Sequence, residues 1–497
     1  MVELRAWHHR LRRCLTLLMA VAASIGSAVA DESVITYHNA ANRSGLYVAP
    51  TLTWTKAPAV KLDTSFHAGV EGWVYAQPLY WVPPAGGAAR IIVATENNFV
   101  YALDPSTGKQ IWAKSLGAPV PLKALPCGNI DPMGVTGTPV IDPVAEIVYL
   151  EAFVETASGP RHFVFGLSLA TGAIAAGWPV DVGKGLAALK HSFDETPQGQ
   201  RSALALINGK IYVPYAGHLG DCGVYNGMVV GLNTAKPGVF GAWSTKTQGG
   251  GSWGQSGLAF DGTSMYVTTG NAFGASTVWG GSEAVVRLPL TLADPTGDYA
   301  NFFTPTNWHK LDEKDLDLGG TSAIPVFLNP ETIEGVLALG KDGNAYLLNP
   351  ANLGGVGQQI ASVQVSTDQI RTAMATYPVS DGAMVAFEGS GYRCANKRAG
   401  NLVMLKVTNL TVANVWCEPI KGFGAPIVTT TDGMSNPIVW VAGTHGDGNL
   451  YGFRGTDGEL LVSAAGGSTQ IERYQTVLWA NGRFYVGANG AIYAFTY

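Results

Sequence analysis

The chain has 497 residues, of which 63 are Gly and 27 are Pro, and only 13% are charged, about half the usual share of roughly 25%. Hydrophobic residues make up 47% of the chain and aromatic residues 10%, which excludes a disordered protein, and so much Gly and Pro excludes a coiled coil or a helical bundle. The formal net charge is −5, and the composition is typical of a large, sheet-rich globular protein with many tight turns.

The first 30 residues have the pattern of a secretory signal. Residues 1–13 contain four Arg, and residues 14–30 form an apolar run that ends in Ala28-Val29-Ala30. Together these features predict a signal peptide that is cut after Ala30. Because the run is shorter than a membrane-spanning helix, we expect a periplasmic or secreted protein with no membrane span in the mature chain. That chain loses four Arg and one Glu and has a net charge of −8, which argues against nucleic acid as a partner.

One strand-turn-strand unit recurs along the rest of the chain. Its clearest copy is residues 91–104, followed by the turn Thr107-Gly108 and by Trp112. Short β-branched runs separated by Gly, Asn and Asp are typical of hairpins. The other copies pair residues 147–150 with 163–169, 211–213 with 228–232, 265–268 with 284–288, 335–339 with 345–348, 384–387 with 402–407, 438–442 with 450–453, and 484–486 with 492–495.

Eight such units predict an all-β fold, an eight-bladed β-propeller of four-stranded antiparallel blades over residues 31–497. Two β-sandwiches are the alternative, but the even spacing and the Trp after the Thr-Gly turn favour one ring. The last unit ends one strand short, so we expect an N-terminal strand, around residues 34–37, to complete it and remove the exposed sheet edges.

Four Cys follow the predicted signal, an even number that suggests two disulfides in an oxidising compartment. Cys394 and Cys417 are near each other in sequence and are expected to pair, with Cys127 and Cys222 as the second pair. The absence of a Cys-x-x-Cys-His motif excludes a covalently attached c-type haem.

The unit at residues 100–112 resembles the quinoprotein repeat, which builds the eight-bladed propellers of pyrroloquinoline quinone (PQQ) alcohol dehydrogenases and of cofactor-free relatives. Gly249-Gly250-Gly251-Ser252-Trp253-Gly254 and Thr269-Gly270-Asn271 are similar to two motifs of these enzymes. The resemblance implies that Trp253 is the flat floor under the quinone and that Asn271 ligates calcium. Packing between blades and a turn are the structural alternatives for the two residues.

Two further segments resemble the same enzymes. Residues 315–320, Asp-Leu-Asp-Leu-Gly-Gly, are similar to the stretch that holds the catalytic Asp. The resemblance implies that Asp317 takes the alcohol proton while hydride moves to the quinone, although the neighbouring acidic residues also fit a solvated loop. In Gly340-Lys341-Asp342-Gly343, the resemblance places Lys341 at the quinone oxygens, where it would favour negative charge on reduction; a surface turn is the alternative.

The sequence also departs from the family pattern. His218 occupies the position of the acidic calcium ligand, and neutral imidazole suits transition metals better than calcium, so the expected cation is calcium or another divalent metal with Asp221 as a substitute ligand. Met133 replaces an Arg that binds a cofactor carboxylate, and Arg201 is the candidate to compensate. The family's ring of adjacent cysteines is reduced to Cys127, which is expected to bond Cys222 over the same central face.

Three functions remain open from the sequence. The first is an exported PQQ-dependent dehydrogenase that oxidises a small alcohol or a carbohydrate and passes electrons to an external cytochrome or quinone. The second is a cofactor-free propeller that binds a protein or a polysaccharide, which the departures favour. The third is a glycan hydrolase or lyase that uses a pair among Glu151, Glu155, Asp221 and Asp317, and it would require two of these carboxylates at a defined separation.

Overall fold

The structure, a computed structural model, describes residues 32–274, 278–329 and 332–497. The predicted signal peptide and its cleavage site lie outside these residues. Within the described ranges, no helix is long and apolar enough to cross a membrane.

Eight antiparallel sheets follow one another along the chain, and we number them as blades 1 to 8. The first four contain mostly buried, β-branched and aromatic strands, as the sequence pattern predicts. Blade 1 consists of Leu79–Trp81, Arg90–Ala94, Phe99–Leu103 and Gln110–Ser115; blade 2 of Val140–Asp142, Ile147–Thr156, Gly159–Ser168 and Val180–Asp181; blade 3 of Ala205–Ile207, Lys210–Gly217, Met228–Asn233 and Gly238–Ser244, with Gln198–Gly199 paired to its second strand; blade 4 of Ala259–Phe260, Met265–Thr268, Val285–Leu288 and Phe302–Thr304, extended by Gly355–Val356.

The remaining blades repeat this order, and in blades 5 to 7 each strand pairs with its neighbour in sequence. Blade 5 consists of Ile324–Asn329, Thr332–Leu339, Asn344–Leu348 and Ala361–Gln364; blade 6 of Ala375–Val379, Gly382–Glu388, Leu402–Val407 and Val412–Glu418; blade 7 of Ile427–Thr430, Ile438–Ala442, Leu450–Arg454 and Leu460–Ala464, with Leu46–Val48 parallel to its first strand; blade 8 of Leu478–Ala480, Arg483–Ala488 and Ala491–Thr496. The α-helices are Val182–Ala188 and Trp308–Lys314, and the 3-10 helices are Tyr37–Asn39, Ala57–Ala59, Leu122–Ala124, Tyr299–Asn301 and Leu318–Gly320.

The core lies between the blades, in clusters that each join consecutive blades. One cluster joins blades 1 and 2, and further clusters join each following pair as far as blades 6 and 7. A last cluster contains Trp440 of blade 7, Phe484 of blade 8 and Ile91 of blade 1. Because this cluster returns to the first blade, the sheets form a closed ring, which confirms the predicted eight-bladed β-propeller.

Trp residues of the repeat connect one blade to the next. Trp112 of blade 1 donates its indole N–H to the carbonyl of Leu169, at 3.0 Å, in the turn of blade 2. A Cβ at Gly172 of that turn would lie 2.6 Å from the Trp112 ring. Trp416 of blade 6 makes the equivalent bond to the carbonyl of Gly455, at 2.9 Å. The indole of each of these Trp residues therefore packs against the Thr-Gly or Asp-Gly turn of the next blade.

A fourth strand from the N-terminal part of the chain completes blade 8, as predicted. The predicted position, residues 34–37, is wrong: the closing strand consists of Lys61–Leu62 and Ala68–Gly69, both antiparallel to Ala491–Thr496. An ion pair at 2.6 Å between Arg483 and Asp63 lies beside this contact.

Residues 34–45 instead follow the edges of the first strands around the ring. Their main-chain groups hydrogen-bond to five blades in chain order. These edges would otherwise expose unpaired N–H and C=O groups at the centre of the ring, which is the physical reason for this path. The residues that bond blades 1, 2, 4, 6 and 7 are Val34, Ile35, Ala41, Ser44 and Gly45.

Both predicted disulfides are present. Cys127 is bonded to Cys222 and Cys394 to Cys417, with Cα atoms 5.9 Å apart in each pair. The first joins the segment before blade 2 to the loop that follows the second strand of blade 3.

Candidate functional site

One end of blades 3 to 5 borders a cavity of about 640 Å³. In an antiparallel blade, the loop that enters the first strand and the loop between the second and third strands lie at the same end. The residues that the sequence singled out occupy such loops and therefore converge. All seven line the cavity: Arg201, His218, Asp221, Trp253, Asn271, Asp317 and Lys341.

The carboxylate of Asp317 is the centre of the site and is only 2% exposed. Its Oδ1 accepts the backbone N–H of Asn271 at 2.7 Å, and its Oδ2 accepts the indole N–H of Trp253 at 3.0 Å. The ammonium of Lys341 lies 2.5 Å from Oδ2 and also 2.7 Å from Oδ1 of Asp315. Three of the predicted residues thus hold the carboxylate of a fourth, Asp317.

The two glycine-containing motifs build this arrangement by pairing with each other. The N–H of Gly250 donates to the carbonyl of Asn271 at 2.7 Å, and the N–H of Gly270 donates to the carbonyl of Gly251 at 2.9 Å. Gly250 has a φ of +64°, which favours glycine. A Cβ at Gly270 would lie 2.8 Å from Oδ1 of Asp317, so glycine is also needed there for the carboxylate to approach the backbone.

Burial and charge act in opposite directions on Asp317 and Lys341. Burial raises the pKa of Asp317 above its ordinary value, and the ammonium of Lys341 opposes this shift only in part. Burial alone would lower the pKa of Lys341, but the carboxylates of Asp317 and Asp315 outweigh it, so the pKa of Lys341 is raised. The site therefore contains a carboxylate of increased proton affinity beside an ammonium that stays charged at neutral pH.

Two cations lie against the ring of Trp253. The ammonium of Lys341 is 5.0 Å from the ring centroid, and the guanidinium carbon of Arg201 is 5.6 Å from it. Arg201 donates one hydrogen bond, at 3.3 Å, to the carbonyl of Gly217, and its Nε is buried without a partner. Such contacts stabilise cations at an aromatic face, so two cations share the surface of Trp253.

The predicted metal ligands His218 and Asp221 already have protein partners. Nε2 of His218 lies 3.0 Å from the carbonyl oxygen of Thr196 and therefore carries the proton there. Burial, followed by the nearby charges of His162 and Arg201, lowers the pKa of His218 to about 4, so the imidazole is neutral. Asp221 accepts the hydroxyl of Tyr225 at 2.7 Å. Among the described residues, no group of three or more His, Cys, Asp or Glu side chains is placed to hold a metal ion.

Met133 and Cys127 lie beside the cavity, close to His218 and Gly220, although neither lines it. Met133 is buried and borders a small cleft that Arg201 and His218 also border. Arg201 and Met133 therefore lie close to each other, as the sequence analysis expected of a compensating Arg. Cys127 contacts Gly220, where a Cβ would lie 3.2 Å from its Sγ, so the disulfide with Cys222 supports the cavity.

Two acids behind Asp317, the buried Glu283 and the half-buried Asp312, are not distinguished by the sequence, in which Asp312 reads as part of a solvated loop. Glu283 is fully buried and accepts the N–H of Leu318 at 2.6 Å, and burial, reinforced by Asp317, raises its pKa well above the ordinary value. Asp312 accepts the N–H of Ala272 at 2.8 Å, and burial raises its pKa to about 6. Both carboxyl groups accept backbone N–H groups of the loops beside Asp317 and thereby stabilise these loops. The only available signal for Glu283 was its position directly before a buried apolar run, residues 284–286.

The carboxylates proposed for a hydrolase are separated by the structure. Asp221 and Asp317 line the cavity, whereas Glu151 and Glu155 do not. Glu151 is buried within blade 2, where its Oε1 lies 2.6 Å from Nδ1 of His162. Glu151 therefore serves an internal ion pair, and the hydrolase interpretation loses two of its four candidates.

The eight-bladed propeller has the fold of solved quinohemoprotein alcohol dehydrogenases and of a methanol dehydrogenase. The europium-containing methanol dehydrogenase matches with a TM-score of 0.66 and 14% identity over 94% of this chain and 98% of that one. The quinohemoprotein alcohol dehydrogenase of Comamonas testosteroni matches with a TM-score of 0.61 and 14% identity over 93% of this chain and 80% of that one.

A second quinohemoprotein alcohol dehydrogenase, ADHIIG of Pseudomonas putida HK5, matches with a TM-score of 0.65 and 12% identity over 93% of this chain and 80% of that one. Comparison of the sequence with models of known families finds no match, and comparison with curated proteins finds none either. At these identities the likeness establishes the fold, and the activity has to be argued from the site.

Proposed function

We propose that the chain is an exported dehydrogenase that uses PQQ to oxidise a hydroxyl group of a small alcohol or a sugar, and that it passes the electrons to a separate cytochrome or quinone. The observation that carries the proposal is the buried carboxylate of Asp317, held between Trp253 and Lys341 at the edge of the cavity. Export rests on the sequence of residues 1–30, and the fold of the dehydrogenases is consistent with it.

The cavity fits a flat cofactor that carries carboxyl groups. Its volume of about 640 Å³ is within the roughly 300–1,000 Å³ of small-molecule sites. The ring of Trp253 offers a planar surface on which a tricyclic quinone can stack. Arg201 supplies a guanidinium whose buried Nε has no partner, and carboxylates are the groups that guanidinium binds best. These residues would hold PQQ, which when bound accepts the two electrons of the substrate's carbinol carbon.

Asp317 is the residue that would remove the proton of the substrate hydroxyl. Its raised pKa makes it a stronger base than an ordinary Asp, and general-base catalysis requires a group of this kind within hydrogen-bond reach of the proton. The indole N–H of Trp253 and the N–H of Asn271 fix the orientation of the carboxylate. Lys341 keeps positive charge at the site while negative charge develops on the bound substrate.

Reconstitution with PQQ tests the proposal. The purified mature protein is titrated with PQQ and followed by its absorption spectrum, and dye-linked oxidation is then measured over a panel of alcohols and sugars. Each titration is run with and without added calcium. We expect a saturable spectral change and oxidation of at least one class of substrate.

Two variants separate binding from chemistry. Trp253→Ala should lose the spectral change because the stacking surface is removed, whereas Asp317→Asn should keep the spectral change and lose turnover. If the unmodified protein shows neither a spectral change nor oxidation under any condition, the proposal is wrong and the cofactor-free binding module is the better interpretation.

A further inference from the structure

The source of positive charge above Trp253 differs from what the sequence suggests. The sequence predicts a divalent cation held by Asn271, Asp221 and His218. In the structure, His218 uses its Nε2 proton on the carbonyl of Thr196, and Asp221 accepts the hydroxyl of Tyr225. A divalent metal requires several free oxygen or nitrogen ligands, and calcium requires oxygen. The three residues thus offer a metal only the side-chain amide of Asn271 and the second carboxylate oxygen of Asp221, which are too few ligands for a divalent cation.

Asp317 is also committed to protein donors. The backbone N–H of Asn271 occupies its Oδ1, and the indole N–H of Trp253 and the ammonium of Lys341 occupy its Oδ2. A metal that used this carboxylate would have to displace the ammonium, which also pairs with Asp315. The ammonium therefore already occupies the carboxylate oxygen that a metal would need.

Arg201 places a second cation beside His218, one of the predicted metal ligands. Its guanidinium borders the same small cleft as His218, and no carboxylate among the described residues lies within ion-pair distance of it. A metal ligated by His218 would face this guanidinium, and like charges in a partly buried site repel each other strongly. The two cations together carry the charge of one divalent ion and lie against the same ring.

We propose that Arg201 and Lys341 replace the divalent metal, so that this chain binds its quinone without one. The inference rests on the proposed function, because it concerns the site assigned to PQQ. Fixed cations beside a quinone favour the negative charge that reduction places on its oxygens. The two side chains supply that charge from permanent positions, whereas a metal would have to be acquired.

Quinone affinity in the presence and absence of metal tests this inference. The protein is stripped with a chelator, its metal content is checked by mass spectrometry, and PQQ is titrated in chelator, in calcium and in lanthanum. We expect the dissociation constant to change by less than about twofold among the three titrations. If either metal lowers the dissociation constant of PQQ by more than roughly tenfold, the inference is wrong, while the proposed function is unaffected. An absence of PQQ binding in all three titrations would overturn both.

Variants in the metal-free titration identify the cations responsible. Lys341→Met and Arg201→Met should each weaken PQQ binding by more than about tenfold, because each removes one charge from the site. Lys341→Arg keeps the charge and should recover most of the affinity. Lys246→Met is the matched control, since Lys246 is an exposed lysine that pairs with Asp294 and does not line the cavity. If Lys341→Met and Lys246→Met bind PQQ equally well, with circular dichroism showing both folded, Lys341 does not supply the charge and the inference is wrong.

Discussion

The ammonium of Lys341 lies 2.5 Å from Oδ2 of Asp317, and both side chains are almost fully buried, with Lys341 9% exposed and Asp317 2%. An ion pair in this position is screened only weakly by salt. The carboxylate cannot move without breaking its bonds to Trp253 and Asn271. The pair thus combines a carboxylate of fixed orientation with an adjacent ammonium.

Asp317→Asn should reduce kcat by at least about 100-fold, because a general base contributes roughly 10²–10⁴-fold to the rate. The amide keeps the size of the side chain, and one oxygen remains to accept a hydrogen bond. The measurement is dye-linked turnover of the PQQ-loaded protein. Asp315→Asn is the control: Asp315 also contacts Lys341, but its side chain is 63% exposed, and its loss should change kcat far less. Equal losses in the two variants would contradict a special role for Asp317.

The pH profile of turnover should report the same group. Because burial raises the pKa of Asp317 above the ordinary value of 3.8, the carboxyl becomes protonated as the pH falls through that raised pKa. A protonated carboxyl cannot accept the substrate proton, so kcat/KM should decrease on the acid side with a midpoint above 3.8. The residual activity of Asp317→Asn should lack this limb. A profile that stays flat down to about pH 4 would contradict the assignment.

The fully buried Glu96 should make the fold less stable at alkaline pH. Burial raises its pKa from 4.5 to about 8, against the N–H of Gly134, which lowers it. Between these two values the folded chain holds a proton that the unfolded chain has released, so the free energy of unfolding decreases as the pH rises. Above the folded pKa both states are ionised, and the decrease is complete.

Glu96→Gln removes the titration and keeps an oxygen for the N–H of Gly134. Its melting temperature should therefore fall less between about pH 5 and pH 8 than that of the unmodified protein. Differential scanning calorimetry at both pH values measures the difference. Glu388, whose pKa burial also raises to about 8, keeps part of the pH dependence in the variant. An identical fall in both proteins would show that Glu96 does not couple folding to protons.

The disulfide between Cys127 and Cys222 should matter for the cavity as well as for stability. Removing either disulfide should lower the free energy of unfolding by about 2–5 kcal/mol. Only the pair Cys127→Ser and Cys222→Ser should also weaken PQQ binding, because its loops contain residues that line the cavity. The pair Cys394→Ser and Cys417→Ser, in and beside blade 6, is the control. PQQ titrations of both double variants measure this difference. Equal PQQ affinities would mean that the disulfide between Cys127 and Cys222 contributes to stability only.

The sequence was sufficient to predict the ring and the residues of the cavity for a physical reason. Each blade repeats the same local chemistry, a hairpin, a Gly-containing turn and a Trp such as Trp112, so eight independent signals support one architecture. The antiparallel order then forces the loops with Trp253, Asn271 and Lys341 to one end of the blades. Local pattern and topology together determine which residues meet.

What the sequence could not predict depends on partners far away along the chain. Residues 34–37 read as a strand, but their place is decided by the unpaired first-strand edges of several blades rather than by their own pattern. In the same way, Glu283 looks like any polar residue before a strand until Leu318 and Asp317 are placed beside it. Thr196, whose carbonyl accepts the Nε2 proton of His218, lies 22 residues earlier in the chain, and no local pattern encodes this contact.

Two glycines with the same backbone conformation distinguish two costs of an added methyl group. One cost comes from contact with the indole of the preceding blade, and the other comes from backbone strain. Gly172 and Gly482 both have a φ of +72°. A Cβ at Gly172 would lie 2.6 Å from the ring of Trp112, whereas a Cβ at Gly482 would have nothing within 4 Å. Alanine at either position should cost about 1–2 kcal/mol for the left-handed backbone.

Gly172→Ala should cost about 1–3 kcal/mol more than Gly482→Ala, because the added methyl group overpacks the contact between blades 1 and 2. It should also weaken the hydrogen bond from Trp112 to the carbonyl of Leu169. Urea unfolding followed by tryptophan fluorescence gives both free energies under one set of conditions. Equal destabilisation of the two variants would mean that the indole of Trp112 does not pack against Gly172. The apolar clusters alone would then hold the blades together.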